Sequence, residues 1–201
     1  MCYKATCFVT DKGDYKMNGK QKIAEQSRTW LWEGFVRLLH QQSYQDITIS
    51  AIAAEAQLSR RTFYRSFKCK SDLVDYYCHD AIDRYLRRLK AIEMSTSSFE
   101  NVLRVFFDFW WSEKNTLHLL IENGLFSRLL FVWTPESSKI YDMFQVPWHV
   151  QGSPSEINYI MSFSTGGFWN VLQHWLTKKT PEPPEEVTQT LLKALKKITQ
   201  V

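Results

Sequence analysis

The sequence predicts an all-α fold of about nine helices. Apolar residues recur at three- and four-residue spacing along most of the 201 residues. Strand-like alternation nowhere extends beyond a few residues. The interruptions are of the kind that end helices: Ser95-Thr96-Ser97-Ser98, Asn123-Gly124, Gly152-Ser153-Pro154 and Pro181-Glu182-Pro183-Pro184. A hydrophobic content of 44 %, with 15 % aromatic residues, allows a sizeable core.

Residues 1–18 are polar with scattered aromatics and no helical period, which reads as a flexible arm. Its Lys12 and Lys16, with Lys20 just beyond, would add contacts to an anionic partner. From Lys20 to Gln42 the pattern is a long amphipathic helix, with Ile23, Ser27, Trp30, Leu31, Gly34, Phe35, Leu38 and Leu39 on one broad face. Gly34 costs about 1 kcal/mol in a helix interior, so it marks the close approach of a neighbouring helix. A linker, His40 to Asp46, follows.

Thr48 then precedes an apolar-periodic run and suits an N-cap, its hydroxyl accepting from an otherwise unpaired backbone N–H. Ile49, Ile52, Ala53 and Ala56 mark the buried face of this short helix. Ser59 repeats the cap signal. Behind it Phe63 and Phe67, four apart, turn inward, while Arg60, Arg61, Tyr64 and Arg65 turn outward. Two short capped helices with a basic second face fit a helix-turn-helix, whose second helix enters a DNA major groove. An ordinary solvated basic helix would explain the charge alone, but not the tandem caps. Charge is concentrated at this end. Residues 1–70 hold 12 Lys/Arg against 6 Asp/Glu, and the rest 13 against 15, which leaves the chain at +4.

Thr48-Ile49, Ile52-Ala53, Ala56, Leu58-Ser59, Thr62-Phe63-Tyr64, Phe67, Lys70 and Leu73 stand at fixed spacings. With them the segment resembles the DNA-binding domain of the TetR/AcrR family of transcriptional regulators. The resemblance implies a first helix over 23–42, a second over 48–56, a recognition helix over 60–67 and a long fourth helix from about Ser71. It divides the chain into an arm (1–18), a DNA-binding domain (19–70) and a ligand-binding and dimerisation body (71–201). Chemistry and resemblance together assign Arg60, Arg61 and Thr62 to base contact. Thr48, Ser59, Tyr64, Arg65 and Lys70 are assigned to phosphates. Two positions depart from the family pattern. Gln57 stands where the turn usually has Gly, at an expected cost of roughly 1–2 kcal/mol for a left-handed backbone. Cys69 replaces the usual capping residue, leaving Ser71 as the expected cap. Met17 comes where members commonly begin, which marks it as an alternative start of translation.

The remainder reads as helices separated by those breaks. Ser71 to Glu93 carries an apolar stripe. Ser97 and Glu100 are placed to form a capping box for the helix holding Phe106, Phe107 and Trp110. Thr116 to Leu130 is interrupted at Asn123-Gly124. Ser155 to Thr177 and Pro184 to about Gln200 are the final pair. In TetR-like proteins the last two helices form a four-helix dimer interface, and the segment FSTGGFWNVLQHWL also resembles the carboxyl-terminal domain of one branch. Phe168, Val171, Leu172, Trp175, Leu191 and Leu195 are the expected interface residues, although an intrachain core would explain the same stripe. Aromatic residues offer walls for an apolar or aromatic small-molecule effector: Phe106, Phe107, Trp110, Phe126, Tyr141, Phe163 and Trp169, with His118, Asn158 or Gln173 as polar anchors. Aromatics at helical spacing serve equally as core.

The sequence also narrows the function class. No apolar run approaches the roughly 20 residues of a membrane helix, and no signal peptide is evident, so a cytoplasmic protein is expected. Cys2, Cys7, Cys69 and Cys78 lack paired spacing, and His40, His79, His118, His149 and His174 are scattered. No phosphate loop, zinc-protease or nucleophile-elbow motif occurs, so neither an enzyme nor a cofactor is expected. The resulting expectation is a repressor that binds a near-palindromic duplex operator as a homodimer and is released by an effector. The alternative is a co-activator of the same fold gated by a protein partner.

Overall fold

The computed structural model describes residues 18–92, 98–137, 141 and 151–198. Among these residues there are nine α-helices and no strand. Their order is α1 (Gly19–Leu39), α2 (Ile49–Glu55), α3 (Arg60–Ser66), α4 (Lys70–Lys90), α5 (Phe99–Ser112), α6 (Lys114–Glu122), α7 (Ser127–Trp133), α8 (Pro154–Leu176) and α9 (Pro184–Ile198). A short 3₁₀ turn, Thr134–Glu136, extends α7. Residues 1–17 of the arm, with Lys12, Lys16 and Met17, lie outside the described residues, as does Ser97.

Helix α1 starts on a capping box. Asn18 Oδ1 accepts from the Gln21 N–H at 3.0 Å, and Gln21 Oε1 accepts from the Asn18 N–H at 2.9 Å. Its buried stripe is Ser27, Leu31, Gly34, Phe35, Leu38 and Leu39. Among the described residues Ile23 and Trp30 do not join it: they are 65 % and 45 % exposed, Trp30 bordering a surface cleft beside Ala56 and Gln57. Gly34 does admit a neighbour, since a Cβ there would lie 3.1 Å from the Ala56 nitrogen. Leu31, Phe35, Ile47, Ile52 and Phe63 close the small core of α1–α3. At the end of α2 the chain turns through Gln57 at φ +55°, the left-handed backbone expected there.

Helix α4 belongs to both halves of the molecule. Toward α1, Leu73 is buried and Tyr77 stacks on Trp32 with ring centroids 4.5 Å apart. Toward the body, Tyr85 packs among Phe106, Phe109, Trp110 and Trp133. Ser71 lies inside the helix and Cys69 is the N-cap, without a side-chain cap bond; Asp72 in the first turn accepts from the Lys68 N–H at 2.8 Å and from the Cys69 thiol at 3.2 Å. An acid in the first turn also suits the positive end of the helix.

Helix α5 is capped by Ser98, one residue after the expected cap; its hydroxyl accepts from the Asn101 N–H at 3.2 Å. Glu100 is instead bound by Arg104 and Gln189. At the α5–α6 junction Glu113 takes both Arg84 (2.5 and 3.2 Å) and the Tyr77 hydroxyl (3.0 Å). Burial pushes its carboxyl up, but those donors outweigh burial and hold it below the ordinary value. The segment from Thr116 to Leu130 is divided into α6 and α7 by Asn123 and Gly124, the latter at φ +68°. Pro154 opens α8 behind a Ser153–Glu156 capping box. Helix α9 lies along α5, and α8 against α6.

The left-handed turn yields a direct prediction. Gln57→Gly relieves a strain of roughly 1–2 kcal/mol but gives part of it back through the freer unfolded chain. The expected net gain in unfolding free energy is about 0.5–1 kcal/mol by denaturant titration. A loss of stability would show that the Gln57 side chain holds the turn.

Candidate nucleic-acid interface

The outward face of α3 is built by two caps and two buried rings. Thr48 Oγ1 accepts from the Ala51 N–H at 3.1 Å and so starts α2. Ser59 Oγ accepts from the Thr62 N–H at 3.1 Å and lies 3.0 Å from the Thr62 hydroxyl. Only one proton is shared between those two hydroxyls, so the other O–H is free to donate outward. Phe63 and Phe67 anchor α3 to the core. Helical geometry then leaves Arg60, Arg61, Tyr64 and Arg65 exposed, with Lys68 just beyond and Thr62 half-buried. The Arg60 guanidinium lies 6.0 Å from the centroid of the Tyr64 ring.

The cations of this face have no internal ion-pair partner among the described residues: no carboxylate lies within ion-pair distance of Arg60, Arg61, Arg65 or Lys68, whereas Arg37, Arg84, Arg104 and Arg128 each have one. Exposed cations with no internal partner keep their full charge available to phosphates, where counterion release favours binding. Guanidinium forks also match the edge of guanine.

Lys70 is placed differently. Its ammonium donates to the carbonyls of Tyr44 (2.6 Å), Ile47 (2.8 Å) and Gln45 (3.3 Å), and sits 4.3 Å from the centroid of the Tyr44 ring. All three protons are committed to the linker between α1 and α2. Sequence reasoning missed this role, because nothing local to residue 70 signals a carbonyl cluster some 25 positions earlier. It also missed Asn123, whose Oδ1 accepts from the Tyr44 N–H at 2.8 Å.

The expected effector wall is mostly solid core. Trp169 is in ring contact with Trp110, Trp133, Phe106 and Phe126 at centroid distances of 5.1, 5.5, 6.0 and 6.2 Å. Phe107 meets Trp175 edge-on at 5.4 Å. Phe163 is 72 % exposed and cannot line an interior pocket, while Tyr141 is half-buried. Of the expected wall residues, Phe126 and Trp169 border a surface cleft of about 190 Å³ between the α6–α7 turn and α8, which Gln173 also lines. His118 is bound to Glu122 on the surface, and Asn158 is exposed.

The expected dimer residues are divided, two of them fully buried within the chain and four half-buried. Leu172 and Trp175 are 0 % and 1 % exposed inside a single chain. Phe168 packs on Phe99 and Phe106, and Val171 and Leu191 lean on the same core; Leu195 is half-buried. The apolar side chains that α8 leaves exposed are Tyr159, Ile160 and Phe163, followed by Gly167, around whose backbone a Cβ would meet nothing within 4 Å. Two apolar stripes run along α8, and the sequence pattern did not say which one faced inward.

Two family models match the chain. Residues 33–77 match the model described as bacterial regulatory proteins, tetR family, and residues 137–197 match a transcriptional regulator C-terminal region. Together they span just over half of the chain. Among curated proteins none matches. Solved structures share the fold. Lin0861 from Listeria innocua is 13 % identical over 88 % of this chain and 93 % of its own, with a TM-score of 0.74. A TetR transcriptional regulator from Streptococcus agalactiae is 17 % identical over 87 % and 96 %, with a TM-score of 0.57. The dihydroxyacetone kinase operon activator DhaS is 15 % identical over 87 % and 96 %, with a TM-score of 0.56.

The Lys70 clamp is testable without DNA. Lys70→Met keeps the apolar stem and removes three charge-assisted bonds, so the unfolding free energy should fall by about 2 kcal/mol. Unchanged stability, combined with weaker duplex binding, would return Lys70 to the role of a phosphate ligand.

Proposed function

The chain belongs to the TetR family of bacterial regulatory proteins, and on that premise we propose that it reads a near-palindromic duplex operator as a homodimer and regulates transcription there. The observation that carries this reading is the unpaired cationic face of α3, presented by two capped short helices. Residues 19–70 act as the reader and 71–201 as the body. Arg60 and Arg61, with Thr62, contact base edges. Thr48, Ser59, Tyr64 and Arg65, joined by Lys68, hold phosphates.

Two copies are required because successive major grooves present their edges roughly 34–36 Å apart. The exposed stripe Tyr159, Ile160, Phe163 and Gly167 of α8 is the face on which the copies meet. Repression is the proposed sign, although the fold itself does not set it: DhaS, of similar structure, is an operon activator. The protein works in the cytoplasm and carries out no catalysis. Among the described residues no helix is long and apolar enough to cross a membrane, and no three His, Cys, Asp or Glu side chains are grouped as metal ligands.

A small neutral effector in the cleft beside the α6–α7 turn releases the operator. A second reading, gating by a protein partner, is favoured by the filled aromatic interior of the body. Purified protein that binds selected duplexes only when a cell extract is added would support the second reading.

Selection from a random duplex library tests the central reading. Arg60→Ala and Arg61→Ala should each cost roughly 1–3 kcal/mol on the selected operator and relax sequence preference. Equal losses on operator and random duplex would remove these residues from base readout.

A further inference from the structure

The cleft beside the α6–α7 turn and the linker leading into α2 meet through one side chain. Asn123 Oδ1 accepts from the Tyr44 N–H at 2.8 Å, while Asn123 Nδ2 donates to the Leu119 carbonyl of α6 at 2.9 Å. Among the described residues this is the one hydrogen bond between residues 18–67 and residues 98–198. Tyr44 is also gripped from the other side, its carbonyl accepting from Lys70 at 2.6 Å. The linker is thus tied by its N–H to α6 and by its C=O to α4.

Gly124, the residue after Asn123, lines the cleft with its backbone at φ +68°. Ile121, Phe126, Leu130 and Trp169 form the apolar part of that cleft, and Ser127, Gln173 and Asn170, whose Nδ2 also donates to the Gly166 carbonyl, supply hydrogen-bonding groups. Among the described residues no ionisable side chain borders it. Its volume, about 190 Å³, is below the range that holds drug-sized ligands.

We propose that this cleft takes a neutral, ring-sized molecule with hydrogen-bonding groups, and that Asn123 is the latch through which its occupancy reaches the helix-turn-helix. The proposal rests on the reading of the chain as an effector-gated DNA binder. An occupant bears on Gly124 and shifts the turn. The latch needs little displacement, because an N–H···O bond of 2.8 Å is lost within less than about 1 Å of separation. Once it opens, the linker loses its tie to α6 and keeps the Lys70 bonds and the packing of Tyr44 and Ile47. Its backbone gains conformational freedom that DNA binding must remove again, and Thr48, four residues on, loses its fixed place. Asn123 is a positioning residue here, acting on DNA through Tyr44. A plain helix-end role for Asn123 would leave the cleft and the linker uncoupled.

A double-mutant cycle separates the two. Ser127→Trp fills the cleft from its rim and stands in for an occupant. Asn123→Ala removes the latch, and Asn123→Asp keeps an acceptor for the Tyr44 N–H. On a selected operator, Asn123→Ala should weaken binding roughly threefold to tenfold, the worth of one hydrogen bond. Ser127→Trp should weaken it about as much, and the double variant no more than the stronger single, because both act through one contact. Without DNA, hydrogen exchange at the Tyr44 amide should accelerate in Ser127→Trp and Asn123→Ala and stay near wild type in Asn123→Asp. Losses that multiply, or Tyr44 exchange that is the same in every variant, would overturn the latch. If the wild type binds no duplex, the DNA-binding reading fails, and the exchange data still judge the latch. Benzamide, a neutral ring bearing an amide, probes the ligand class. Shifts of the Asn170 and Gln173 side-chain amides at about 10 mM, abolished by Ser127→Trp, are expected for so small a ligand. Their absence would overturn the assignment of the cleft.

Discussion

The ammonium of Lys70 holds the linker between α1 and α2 in place, and the orientation of the basic face depends on that grip. Linker carbonyls have no helical partner, and half-buried carbonyls without donors are costly. Lys70 supplies donors to three of them and lies over the ring of Tyr44, which in turn packs edge-on against Phe35. The last carbonyl it holds, that of Ile47, immediately precedes the Thr48 cap. One cation at the start of α4 therefore sets where α2 begins, and the Gln57 turn then sets where α3 points.

Helix α4 carries that constraint into the body. Its buried face serves two cores, with Tyr77 stacked on Trp32 at one end and Tyr85 enclosed by rings of α5 and α7 at the other. Charged pairs fasten the same helix, one of them through the buried Asp75. Asp75 receives Arg128 of α7 in a two-pronged contact, and Arg84 grips Glu113 at the α5–α6 junction. A densely packed interior transmits displacement rather than absorbing it. Small movements near α6 and α7 therefore act on the linker, at Tyr44, and on α4 together.

What the sequence made legible is local. The caps at Thr48 and Ser59, the inward rings Phe63 and Phe67, the left-handed turn at Gln57 and the packing glycine at Gly34 all follow from short-range spacing and backbone preference. The errors are tertiary. Trp30 and Ile23 match the apolar period of α1 but stay exposed among the described residues. Leu172 and Trp175 stand on one of two apolar stripes of α8, and the period alone could not say which stripe the body would bury. Aromatics expected to wall a pocket fill one another's space instead. Lys70 and Asn123 act on residues 26 and 79 positions away, beyond any local pattern.

The proposed DNA face thus combines a short motif, readable in the chain, with a scaffold that only the folded molecule reveals. Its central claim is a pair of recognition helices that enter successive major grooves. Hydroxyl-radical footprinting of a selected duplex tests this most directly. Two protected patches on one face, centred about 10–10.5 base pairs apart or a multiple of that, are the expected result. A single protected patch at full affinity would contradict it.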